Sequence, residues 1–158
     1  MPAIVSNENV EDCLRQILEN EGYSLSPKKT HGETGVDILA TKDSQKYHIE
    51  VIGFKTSPPA RAYDFYQIFF RAISRLNDNA THCIIALPKR FEDGLPARAA
   101  QHRTAWMRIG KAFPELEVWL VDTDAKMYRR TSWPSWTQEG LSPERRGEFG
   151  ERLPVRPN

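Results

Sequence analysis

Two carboxylates in this chain have the setting that metal chemistry uses. Asp37, within Gly35-Val36-Asp37-Ile38-Leu39-Ala40, and Glu50, within Tyr47-His48-Ile49-Glu50-Val51-Ile52-Gly53, each stand among apolar neighbours. Side chains of a strand alternate faces with period two, so Val36, Ile38 and Ala40 share a face with Tyr47, Ile49 and Val51. The other face gathers Asp37, Leu39 and Thr41 with Lys46, His48, Glu50 and Ile52. The short polar link Lys42-Asp43-Ser44-Gln45 makes the two stretches an antiparallel hairpin. A turn symmetric about the Asp43–Ser44 bond sets Asp37 directly opposite Glu50, with Cβ atoms about 5 Å apart. Like charges at that distance repel, and a hard divalent cation between them turns the repulsion into binding. The competing reading is a solvated hairpin face, against which Leu39 and Ile52 on the same face argue. Glycines flank both acidic stretches and would let a ligand or another chain come close.

Around this hairpin the sequence lays out supporting elements. Ser6 is an N-cap, Glu8 and Glu11 suit a first helical turn, and Val10, Leu14, Ile17 and Leu18 form a buried stripe. Gly22 suits the position just past that helix. Glu11 falls at the margin of the stripe, near the azimuth of Leu18, and so looks inward along the sheet. A short strand at Tyr23-Ser24-Leu25 follows. After Gly53, Pro58 and Pro59 stiffen a loop into the clearest helix, whose inner face is Phe65, Ile68, Phe69, Ala72, Ile73 and Leu76. Asp64, Gln67, Arg71 and Arg75 form a second, polar stripe on it. Cys83-Ile84-Ile85-Ala86-Leu87 reads as a strand covered on both faces, stopped by Pro88. An amphipathic helix over 96–113 turns Ala99, Trp106, Ile109 and Phe113 inward, and 116–121 reads as the last strand. Past Arg130 prolines, glycines and charges dominate, with Trp133 and Trp136 as anchors. The expected division is a domain over 1–130 and a tail over 131–158.

Length and composition bound the function. The 158 residues suit one domain with a sizeable core. Lysine plus arginine number 22 against 21 acids, a net charge of +1, so any basic surface is local. Cys13 and Cys83 lie far apart in apolar patterns and read as free buried thiols of a reducing compartment. No signal peptide and no apolar run of about 20 residues is present, so the expectation is a soluble cytoplasmic protein with no membrane partner.

The order helix, strand, carboxylate hairpin, helix, strand, together with Gly35-Val36-Asp37 and Glu50-Val51-Ile52-Gly53, resembles the restriction-endonuclease-like, or PD-(D/E)XK, nuclease superfamily over residues 6–121. The resemblance implies an α/β fold with a three-layer core: a mixed central β-sheet of about five strands between helices, in the order α-β-β-β-α-β-α-β. It implies cleavage of phosphodiester bonds, mostly in DNA, with Mg²⁺ (or Mn²⁺) as cofactor. Position by position, Asp37 matches the first acid, Glu50 the second, Gln67 the polar residue of the following helix, and Glu11 the first-helix acid that completes a metal shell. Ile52 stands where the family pattern places lysine, and isoleucine has neither a proton to exchange nor a charge. Lys55 past Gly53, Arg71 on the helix and Lys46 at the far end of the strand are the candidate replacements, Lys55 first. The expected catalytic set is therefore Asp37, Glu50, Lys55 and Gln67, with Asp37, Glu50 and Glu11 on the metal.

Backbone phosphates would meet local cations: Lys28 and Lys29 before the hairpin, Arg61 after the prolines, Arg71, and Lys89 and Arg90 after the apolar strand. His48 reads as a cross-strand neighbour and His31 as an exposed loop residue. The resemblance also allows a homodimer or a subunit of a larger complex. Ile52 favours an alternative function, a catalytically lapsed nuclease-fold domain that binds nucleic acid or serves assembly. A third reading, a protein-interaction module, would use Trp133, Trp136 and the C-terminal arm.

Overall fold

The computed structural model describes residues 4–30 and 32–137. Helix α1 (Asn7–Asn20) is followed by β1 (Ser24–Leu25) and the hairpin β2 (Ile38–Lys42) and β3 (Gln45–Val51). Then come α2 (Pro58–Ser74), β4 (His82–Pro88), α3 (Leu95–Gln101), α4 (Arg103–Ala112), β5 (Leu116–Asp122) and β6 (Met127–Ser132). The strands form one six-stranded sheet in chain order, β1 to β6. β3, β4 and β5 run parallel, and β1–β2, β2–β3 and β5–β6 pair antiparallel. This is a mixed α/β sheet with one strand more than the sequence reading counted.

Each face of the sheet buries its own helices. On one, Val10, Leu14 and Leu18 of α1 pack on Ile38, Ala40, Ile49, Ile84 and Trp119. On the other, Phe65, Ile68 and Ala72 of α2, with Leu95, Ala99 and Trp106 of α3 and α4, cover Ile85, Leu87, Val118 and Leu120. β4 points alternately into both cores, and for that reason its stretch Cys83-Ile84-Ile85-Ala86-Leu87 is uninterruptedly apolar. The starts of α1 and α2 are capped by serine: Ser6 Oγ accepts from Asn9 N at 3.0 Å and Ser57 Oγ from Ala60 N at 3.4 Å.

The hairpin has the expected register. Lys42 pairs with Gln45 and Ile38 with Ile49, with Asp43 and Ser44 at φ 51° and 70° in a two-residue turn of the I′ kind. Beyond it, the close approach at Gly53 is made by the chain itself. Phe54 N donates to Val5 O at 2.7 Å and Gly53 N to Asn7 Oδ1 at 2.6 Å, locking the end of β3 to the start of α1.

The C-terminal part differs from expectation in two ways. The helix read over 96–113 is two helices, broken at His102 (φ −114°, ψ 35°). The sheet also continues past Arg130, because β6 crosses that position and Trp133 and Trp136 are core residues. Trp106 and Trp133 stack at 3.8 Å, each indole N–H donating to the other's carbonyl, at 2.8 and 2.9 Å. The arm beyond 137 and His31 lie outside the described residues.

A Cβ on Gly53 would stand 2.1 Å from Val5 O and 2.7 Å from Ser6 C, contacts only backbone movement can relieve. Gly53→Ala is expected to lower unfolding free energy by about 2 kcal/mol or more in a urea titration. An unchanged midpoint would show that the α1–β3 junction is loose.

Candidate functional site

Asp37, immediately before β2, and Glu50 in β3 do converge on one place. Glu50 lies mid-sheet opposite Ile85 of β4, only 1 % exposed, on the face that α2 covers. α2 runs over β3 and β4, and Arg71 on it and Arg75 just past its end reach sideways to the acids. Arg71 Nη2 lies 2.9 Å from Glu50 Oε1 and 3.3 Å from Asp37 Oδ2, so one nitrogen spans both carboxylates. Arg71 Nε also reaches Glu50 Oε1, at 3.3 Å. Lys29 Nζ stands 3.0 Å from Asp37 Oδ1, and Val51 N donates to Asp37 Oδ2 at 2.9 Å. Arg75 Nε is 3.1 Å from Glu50 Oε2 without an aligned hydrogen bond, and its Nη1 pairs with Asp78 at 2.8 Å.

Every carboxylate oxygen of the pair thus faces a cation. Lys29, Arg71 and Arg75 are balanced by Asp37, Glu50 and Asp78. Burial pushes the Glu50 carboxyl above its ordinary value, and the neighbouring Asp37 pushes the same way; Arg71 and Arg75 pull against them. Any proton held by Glu50 tips the cluster positive. Two residues back on the same face, His48 is 4 % exposed with Nδ1 unpartnered, and burial lowers its pKa.

Other residues singled out in the sequence go elsewhere. Glu11 is held by Arg15 at 2.8 Å on α1, which packs on the opposite face of the sheet from α2. Arg15 itself donates to the main-chain carbonyls of Ser26 and Asp37. Lys55 pairs with Asp64 at 2.9 Å, about 10 Å along the helix axis from Arg71. Gln67 is exposed, one turn before Arg71. Ile52 is 3 % exposed and packed in the core beneath α2. Lys28 pairs with Asp12 and Glu8 of α1. Arg61 and Arg90 each lie 4.4 Å from the Phe54 ring. Lys89 reaches toward Asp122 at 3.9 Å, beside a cleft of about 680 Å³ that the acid pair does not line.

Of the three candidate lysine replacements, only Arg71 touches the acids. Arg75 was visible as a member of the polar stripe, but its partner was not. As arranged, the residues do not fit a resident Mg²⁺ or Mn²⁺: among the described residues, no group of three or more His, Cys, Asp or Glu could hold a metal ion. The oxygens of Asp37 and Glu50 are also already engaged. No helix among those residues is long and apolar enough to cross a membrane. Comparison with protein-family models, curated proteins and solved structures finds no match to this chain.

The raised Glu50 pKa has a defined sign. The folded protein keeps a proton that the unfolded chain releases above 4.5, so this group's stabilisation is complete below 4.5 and is lost as pH rises through the folded value. Urea titrations across pH should show the wild type losing stability relative to Glu50→Gln as pH rises in that window. A wild type that gains instead would show that the two arginines outweigh burial.

Proposed function

We propose that this chain is a nucleic-acid-binding domain on a restriction-endonuclease-like frame, in which Asp37 and Glu50 hold an arginine for a backbone phosphate. One observation carries this reading: Arg71 Nη2 lies between the two carboxylates, 2.9 Å from one and 3.3 Å from the other. The guanidinium is a planar fork of five donors that is always charged. Two of its nitrogens are pinned inward, and Nη1 makes no hydrogen bond among the described residues. The Arg71 side chain is 39 % exposed, so an outward edge is available to a phosphate oxygen. Lys29, 29 % exposed on the far side of Asp37, extends the cationic track. The run α1, β1, hairpin, α2, β4 supports the frame, since it repeats the element order of the resemblance.

Pinned cations of this kind grip the phosphodiester backbone without reading sequence. A purely electrostatic grip weakens linearly in log–log terms with salt. No hydrolytic step is assigned, because the position of Ile52 supplies no proton and the acids are occupied.

Metal-dependent cleavage of DNA is the second reading, favoured by the hairpin register that brings Asp37 and Glu50 together. It requires Arg71 to leave at least one carboxylate, and the two readings then separate experimentally. Under the binding reading, Arg71→Ala weakens duplex binding by about tenfold or more and reduces the salt slope by about one ion. Mn²⁺ titrated by calorimetry gives no heat from the acid pair, and plasmid stays intact in Mg²⁺. Plasmid cleavage abolished by Asp37→Ala and by Glu50→Ala would establish the nuclease instead.

A further inference from the structure

α2 carries a third stripe that neither the core nor the acid pair uses. Tyr63 and Phe70 are each 65 % exposed and Tyr66 is 44 % exposed, at the three- and four-residue spacing that forms one row on a helix. Large aromatic side chains in a continuous exposed row call for a covering partner.

The surroundings of the row say what covers it. At 100° per residue, Gln67 falls between the Tyr63–Phe70 line and Arg71, so the row borders the cationic edge described above. On its other side, Arg98 Nη1 donates to the Tyr66 hydroxyl at 3.1 Å and lies 5.4 Å from that ring, and His102 Nε2 meets the same hydroxyl at 3.0 Å. The one acid of α2, Asp64, is 14 % exposed and held by Lys55. Aromatic faces between arginines, with no exposed acid on the helix, complement a polyanion that also has flat apolar faces. A second copy packed on the row about a two-fold axis would set arginines against arginines.

Spacing then selects the form of the polyanion. Along the axis the rings lie about 4.5 and 6 Å apart. Bases of a duplex strand are about 3.4 Å apart and stacked on one another, so they offer no faces to the row. Unpaired bases do, and stacking on aromatic side chains is the usual platform for them.

We infer that Tyr63, Tyr66 and Phe70 form a stacking platform for an unpaired nucleic-acid strand whose phosphates run along the Arg71 edge, with Arg98 bracing the Tyr66 ring on the other side. This rests on the nucleic-acid reading and names its substrate as single-stranded. The row discriminates strandedness, and the pinned guanidinium supplies affinity common to both forms.

The test measures fluorescence anisotropy of a labelled oligonucleotide as single-stranded DNA, as its duplex and as RNA of the same sequence. The proteins are the wild type, Tyr63→Ala/Phe70→Ala, which changes only exposed positions, and Phe70→Tyr. The expected result is tighter binding of the single strands than of the duplex. The double variant should lose about tenfold or more on single strands with duplex affinity unchanged, and Phe70→Tyr should retain binding. DNA and RNA bound alike place recognition in bases and phosphates. Preference for either with the same aromatic dependence keeps the platform and names the sugar it accepts. A double variant that binds single strands as the wild type does overturns the platform, while duplex binding that still depends on Arg71 leaves the broader reading standing. Loss of binding to every probe by the wild type overturns both. A wild-type dimer in sedimentation that the double variant converts to monomer, without a change in nucleic-acid affinity, assigns the row to contact between copies and overturns the inference.

Discussion

A guanidinium set between two carboxylates is the constraint on which the candidate site depends. The hairpin register forces Asp37 and Glu50 together, and the core leaves Glu50 almost no water. Two acids so placed need a cation, and the kind of cation decides what the site can do. Magnesium keeps its waters reluctantly exchanged and asks for oxygens in octahedral order. Arginine offers donors in a plane, stays charged, and arrives tethered to α2. Removing one partner of a fully buried ion pair costs about 3–5 kcal/mol; with Arg71 39 % exposed, the cost here falls below that range, yet any metal must still meet it.

The segment from Glu50 to Phe54 shows how much of the site's geometry is set by backbone. Asp37 Oδ2 accepts from Val51 N, so the carboxylate ties the two strands together as well as facing Arg71. Asn7 takes Gly53 N, and Val5 pairs with Phe54, which fixes the direction in which the chain leaves β3. Ile52 is caught between these anchors with its side chain in the α2 core. The same exit sends Lys55 out to Asp64, away from the acids. The burial of Ile52 and the pairing of Lys55 away from the acids therefore have one cause, the path taken after Val51.

What the sequence made legible follows from periodicity. Period-two alternation and the symmetric turn were sufficient for the hairpin register, and three- and four-residue spacing for α1, α2 and their buried stripes. Periodicity says which face a residue takes but not which partner it meets there. Glu11 lies at the margin of its stripe as expected, yet Arg15 four residues on captures it. Arg75 belongs to the polar stripe, but its reach to Glu50 depends on where α2 crosses β3. β6 escaped because Arg129 and Arg130 make it look like surface. In the fold Arg129 is 3 % exposed and bound to Glu92, while Arg130 grips Glu117 and lies over Trp119. The Trp106–Trp133 pair, which draws the end of the described chain into the core, involves residues too distant in sequence for any period to relate them.

α2 is consequently a helix with three separate tasks on three azimuths. Its inner stripe closes the core, its side stripe neutralises the acids, and its outer row leaves three aromatic rings in water. The net charge of +1 gives the molecule no long-range field to draw a polyanion. Attraction must come from short-range contact, and a cation already fixed by carboxylates loses little conformational freedom when a phosphate arrives. Exposed rings beside such cations add affinity that salt does not screen, because stacking does not act through counterion release. In the binding proposed here, the acids beneath Arg71 would act directly: by holding the guanidinium at one angle, they would set where along α2 a backbone passes.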